Sequence, residues 1–184
     1  MRGEGVGVLV LKPLAQALAD GDPVRAVILE SGENHGGRAS GLTTPNPTAQ
    51  SALIAGVLRR AGVAVGSIGH IEAHGTGTAL GDPVEVDALC RAFAEVAAER
   101  GEALPEAGFC GLSSVKSNIG HLEPASGIAG VIKSVLALQH ATLPATLHAE
   151  APNPLLPLAG SPFRLQRRIA PWPAPMGARR AGAR

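Results

Sequence analysis

Residues 68–96 read IGHIEAHGTGTALGDPVEVDALCRAFAEV, and three local patterns follow one another along them. Ile68 to Ala73 is a short apolar run that predicts a strand. His74 to Thr78 is a glycine- and threonine-rich loop. Asp82-Pro83-Val84-Glu85 has the residue types of a capping box with proline in the first turn, and Val86, Leu89, Phe93 and Val96 then recur at helical spacing. Strand, polar loop, helix is the building unit of an α/β fold, with helices covering sheet faces.

The unit recurs on both sides. Upstream, Val6 to Leu11 and Val24 to Leu29 predict two buried strands, with one or two helical turns between them over Leu14 to Ala19. Ser31 to Gly41 is a Gly-rich polar loop, after which Asn46 supplies an N-cap and Pro47 a first helical position. Downstream, Gly111 to Val115 predicts a short strand, and Pro124 opens a helix to about Gln139 that is apolar nearly all round and so predicted to be buried. Gly127 and Gly130 inside it cost roughly 1 kcal/mol each against Ala, which predicts close packing against another backbone. The tail from Ala151 is Pro-rich, with Ser161 to Gln166 as its one expected strand and a mobile Ala/Gly/Arg end.

Composition removes several function classes. The 184 residues are 45% hydrophobic and 17% charged, which predicts a folded chain. A formal net charge of +1 gives no pull toward nucleic acid or anionic lipid. Three Phe, one Trp and no Tyr leave little for base-stacking or sugar-binding platforms. Cys90 and Cys110 form neither a disulfide framework nor a cysteine zinc site, and both read as small buried hydrophobes. With no apolar leader and no run of about 20 apolar residues, a soluble, cytoplasmic chain without membrane or nucleic-acid partners is expected.

Chemistry concentrates in two loops. One is Glu72-Ala-His74-Gly-Thr76-Gly-Thr78, and the other runs from Val115 through Lys116, Asn118 and His121 to Glu123. Loops after the carboxyl ends of strands are where open α/β sheets bind ligands. His70-Ile-Glu72-Ala-His74 lacks the Glu that follows the first His of a metalloprotease helix, and no Pro-Cys-x-x-Cys completes a zinc-deaminase signature. No metal site is expected. Leu80 interrupts GxGxxG and no GxxxxGK[ST] occurs, so nucleotide readings fall as well.

EAHGTGTALGDPVEVDAL (72–89) and SSVKSNIGHLEPASGIAGVIKSVLAL (113–138) resemble the two histidine motifs of β-ketoacyl synthases, in particular ketosynthases of modular type I polyketide synthases. Residues 1–14, 34–50 and 143–172 are similar to the family's flanking segments, in order. The resemblance implies a thiolase-like α/β fold, incomplete, with 1–45 ending the ketosynthase's N-terminal half, 46–170 its C-terminal half and 171–184 a truncated Pro/Arg-rich tail. It implies a decarboxylative Claisen condensation of acyl and malonyl thioesters in polyketide or fatty acid biosynthesis.

By the same resemblance His74 and His121 are the paired catalytic imidazoles that stabilise an enolate oxyanion, and Lys116 fixes the charge and hydrogen bonding around His121. Glu123 and Asn118 support them, and the Thr76 and Thr78 hydroxyls bind phosphopantetheine. No cofactor is held by the chain itself, since the substrate arrives on the phosphopantetheine arm of acyl carrier protein. Expected partners are that carrier protein, the ketosynthase half that bears the acyl-carrying cysteine, and a second copy in a homodimer. No DTACSS-like segment occurs in these residues, so condensation by this chain alone is not expected. Four readings stay open: a piece of a larger synthase, a split enzyme completed in trans, a non-catalytic thiolase-like module binding carrier protein or another synthase component, and a remnant.

Overall fold

A computed structural model describes residues 1–39, 41, 44–174 and 177–184. The loop expected over 31–41 and the segment 34–50 thus include positions outside the described residues, Ser40, Leu42 and Thr43, as the tail does with Pro175 and Met176. The elements are α1 (Leu14–Ala19), α2 (Pro47–Ala61), β1 (Ile68–Glu72), α3 (Gly81–Arg100), β2 (Cys110–Ser113), α4 (Lys116–Ile119), α5 (Ser126–His140), β3 (Thr142–Leu143), β4 (Phe163–Leu165), β5 (Ala170–Pro171) and β6 (Arg180–Ala183).

Four strands form one parallel sheet in the order β4-β2-β1-β6. His70 stands opposite Gly111 and Glu72 opposite Ser113, so β1 and β2 end together. β3 and β5 pair separately and antiparallel. Parallel strands need covering on both faces. The main core lies where α2 and α3 meet β1, β2 and β4, around the fully buried Phe93, Val96 and Phe163. Phe93 and Phe163 meet edge to face at 4.9 Å between centroids, a favoured aromatic geometry. α5 covers the other side of β1 and β6, with a smaller cluster of Ala137, Leu143 and Trp172.

Local signals held where both partners were local. Asn46 caps α2, its Oδ1 accepting the N–H groups of Thr48 and Ala49 at 3.0 and 3.1 Å. Gly62 and Gly101 end α2 and α3 in the left-handed conformation.

Several expectations are corrected. Val6 to Leu11 and Val24 to Leu29 belong to no ladder among the described residues and are not buried: Val10 is 95% and Ile28 60% exposed. A β-branched run reports a preference, whereas a strand needs a partner that the run does not contain. The mobile end expected at the C-terminus is instead β6, with Ala181 opposite His70 and Ala183 opposite Glu72. Small residues suit it, because a Cβ on Gly182 would lie 2.8 Å from Ile71 Cδ1. α5 is buried along only one stripe, Gly130, Ser134 and Ala137, and Leu136 is exposed. Gly127 faces open space, and Gly130 faces the Glu72 side chain rather than a backbone.

Candidate functional site

Because β1 and β2 are parallel neighbours in register, the loops that leave their carboxyl ends start side by side. The Ala73 N–H donates to Ser113 O at 2.8 Å, extending the ladder by one residue. The Ser114 hydroxyl then bridges the loops, donating to His74 O at 3.4 Å and accepting the Lys116 N–H at 3.3 Å. This contact requires Gly75, whose φ is +47° and whose Cβ, if present, would stand 2.8 Å from Ser114 Cβ. The His74 and His121 rings are brought to 5.5 Å between centroids at an interplanar angle of 84°.

The start of α3 grips the His74 loop. Glu85, buried, accepts the N–H groups of His74 and Gly75 at 2.8 and 3.0 Å, and Asp82 accepts that of Gly77 at 3.1 Å with both oxygens. The capping-box reading of Asp82 and Glu85 is therefore corrected. Their carboxylates satisfy amides of the preceding loop, not of their own helix, whose N-cap residue Leu80 makes no side-chain cap bond. The Thr78 hydroxyl caps that end instead, accepting the Gly81 N–H at 3.1 Å.

His121 is fixed by backbone on three sides. Its N–H donates to Met1 O and its O accepts the Gly3 N–H, while Nδ1 accepts the Glu123 N–H at 2.9 Å. An accepting Nδ1 places the proton of a neutral ring on Nε2, which is left as a donor. Glu123 thus supports His121 through its amide, whereas its carboxylate pairs with Arg2 at 2.9 Å. A cleft of about 700 Å³ opens here, lined by Met1, Arg2, Thr76, Lys116, His121 and Glu123. Thr76 and Thr78 lie 3.5 Å apart on the exposed loop. Asn118 is exposed and not among the lining residues, its Oδ1 accepting from Ser117 Oγ at 3.1 Å.

Burial depresses the pKa of both His74 and Lys116. Burial lowers the pKa of His74, the Lys116 and Arg184 cations lower it further, and Glu85 opposes them. Burial also lowers the pKa of Lys116, against the carboxylates of Glu72, Glu85 and Asp82. Burial raises both cysteine thiols, Cys110 far more than Cys90. Neither carries the features of an activated nucleophile.

A buried polar group below the cleft escaped sequence reasoning. Glu72 accepts from Ser113 Oγ at 2.9 Å, from Lys133 Nζ at 2.7 Å and from the Val115 N–H, with His70 Nε2 3.2 Å from Ser113 Oγ. The signal was there in two places: His70 and Glu72 alternate along a buried strand, and Lys133 is a single charge within an apolar helix. Among the described residues no three His, Cys, Asp or Glu gather as a metal-ion cluster, and no helix is long and apolar enough to cross a membrane.

Residues 25–150 match the family described as beta-ketoacyl synthase, C-terminal domain. The chain belongs to the β-ketoacyl synthases. Polyketide synthase ThaG of Burkholderia thailandensis is 49% identical over 172 residues, 94% of this chain and 3% of that protein. A phenolphthiocerol/phthiocerol polyketide synthase protein of Mycobacterium tuberculosis is 48% identical over 181 residues, 98% of this chain and 11% of that protein. Among solved structures, an oxazolomycin ketosynthase domain of Streptomyces albus superposes with a TM-score of 0.81 at 48% identity, over 88% of this chain and 27% of that one. The module 6 ketosynthase of the bacillaene synthase of Bacillus subtilis gives 0.85 at 38%, over 92% and 30%. These neighbours make the fold thiolase-like, and the chain spans less than a third of either solved ketosynthase.

Proposed function

We infer that this chain supplies the malonyl-activating part of a polyketide ketosynthase, an acyltransferase that condenses acyl and malonyl thioesters. The observation that carries the reading is that His121 and Lys116 line one cleft while the His74 imidazole stands nearly at right angles to that of His121, 5.5 Å between centroids.

His121 is already oriented to donate from Nε2, and His74, kept largely neutral by burial, has a ring nitrogen to donate as well. Two imidazole N–H donors aimed at the malonyl thioester carbonyl suit the oxygen that gains charge when the bond from the α-carbon to the carboxylate breaks and CO2 leaves. Lys116, half-buried at the same cleft, adds positive potential where a solvent-screened cation would add little. The enolate carbon then attacks an acyl thioester, forming the new carbon–carbon bond and expelling a thiolate. Cys90 and Cys110 are unsuited to hold that acyl group, so the acyl-bearing cysteine comes from residues other than these 184, and the chain alone does not condense.

Thr76 and Thr78 meet the phosphopantetheine arm of acyl carrier protein in this reading, which the position of Thr76 in the cleft lining, with the Thr78 hydroxyl 3.5 Å away, supports. The same reading divides the chain at 45 and 170 into the end of one ketosynthase half, the body of the other, and a tail. In the full enzyme it is cytoplasmic and pairs as a homodimer.

The test is NMR of nitrogen-15 histidine in the 184-residue chain with a malonyl-phosphopantetheine thioester, together with CO2 release. Expected are shifts at His74 and His121 and slow decarboxylation, both abolished in His121→Ala. Binding of acyl carrier protein without imidazole shifts or CO2 would replace this reading with a binding module. Neither effect would sink both.

A further inference from the structure

Glu72 is 1% exposed, so it touches nothing that enters the cleft, yet its bonds reach the end of β2, the residue before Lys116 and the helix α5. Its own strand β1 leads directly into His74. Its carboxylate accepts the N–H of Val115, the residue before Lys116, and the Ser113 hydroxyl at the end of β2. Lys133, whose side chain is 11% exposed, closes the carboxylate from α5, the helix that follows His121, and also donates to Ser113 Oγ at 2.7 Å. The approach of α5 is tight at one position: a Cβ on Gly130 would stand 3.2 Å from Glu72 Cγ.

We propose that Glu72, locked by Lys133, is a positioning residue that fixes the Val115–Lys116 junction against the strand bearing His74, and so sets Lys116 relative to the two imidazoles. A single buried carboxylate thus ties β1, the Val115–Lys116 junction and α5 together beneath the Ser114 bridge between the loops. Lys133 matters because it holds Glu72 ionised and pointed at the Val115 amide, a bond that a turned side chain would abandon. The groups facing Lys116 are Glu72 from β1, Glu85 and Asp82 from α3, and the His74 and His121 imidazoles. The Glu72 charge opposes the lowering of the Lys116 pKa by burial.

The inference rests on the proposed function only for its activity readout. Three variants of the 184-residue chain test it. Gly130→Ala pushes on Glu72 from behind without removing any hydrogen-bonding group, and Gly127→Ala, on the same helix but facing open space, is its control. Gly130→Ala is expected to displace the Val115 and Lys116 amide resonances and to slow malonyl-thioester decarboxylation roughly tenfold, as a small misplacement of a positioned group does. Gly127→Ala leaves both unchanged. Glu72→Gln keeps an oxygen for the Val115 amide but removes the charge, so Lys116 titrates at a lower pH. Amide shifts in Gly130→Ala equal to those of Gly127→Ala, or a Lys116 titration unmoved in Glu72→Gln, would overturn the proposal. Should the unsubstituted chain release no CO2, the proposed function fails, while the amide shifts and the Lys116 titration still judge the role of Glu72.

Discussion

The Glu85 carboxylate holds the backbone of His74, accepting its N–H at 2.8 Å with one oxygen and that of Gly75 at 3.0 Å with the other. A histidine on a Gly-rich loop is thereby tied near the start of a 20-residue helix, the longest among the described residues.

Replacing Glu85 by Ala leaves two part-buried amides without an acceptor, a loss of about 1–3 kcal/mol. Urea unfolding followed by circular dichroism should show it. Glu85→Gln keeps one acceptor but removes the charge that opposes burial at His74, so the His74 imidazole should titrate at a lower pH than in the parent chain, read by histidine NMR.

Acid should weaken the fold through Glu72. Burial disfavours its charge, but His70, Lys133 and the Val115 amide outweigh burial and hold its pKa below the ordinary carboxylate value. The unfolded chain therefore takes up the proton first as pH falls. Stability from Glu72 is present above the ordinary carboxylate range and is lost as pH drops through the depressed folded value. Thermal midpoints between pH 6 and pH 3 should fall less steeply in Glu72→Gln than in the parent.

Lys133→Met strands a buried carboxylate and should cost about 3–5 kcal/mol. The double variant Glu72→Gln with Lys133→Met, neutral on both sides, should recover most of that loss in the same denaturant titration. A double variant as unstable as the single one would contradict it.

At the other end of the chain, Asn46→Ala should cost about 1–2 kcal/mol. Its side chain caps α2 and also donates to Gly36 O at 2.7 Å, so hydrogen exchange of the loop before the helix should quicken together with that of the first turn.

How legible this was in the sequence depended on whether the partner of each residue was near it in the chain. The α2 cap and the α3 stripe involve neighbours within a turn or two and are legible in the sequence, and the strand at residue 68 is legible from its apolar run although its partners β2 and β6 are distant. Val6 to Leu11 was read as buried because its composition is that of a strand, but pairing is not a local property. β6 went the other way: Arg180 to Ala183 carries no strand signal and is held by the register of β1 beside it. At the cleft, the two histidine loops were found because they are polar islands between apolar runs. Glu85 was noticed for the wrong reason, and Lys133 was absorbed into an apolar helix, because their partners lie 10 and 61 residues away.

Trp172 is the only tryptophan in a chain without tyrosine, and it lies buried with the His70 ring edge-on to it at 5.7 Å. Its indole emission therefore comes from one place, the layer between β1 and the β3–β5 pair. The chain thus contains its own optical reporter for the packing of that layer, readable without label or substrate.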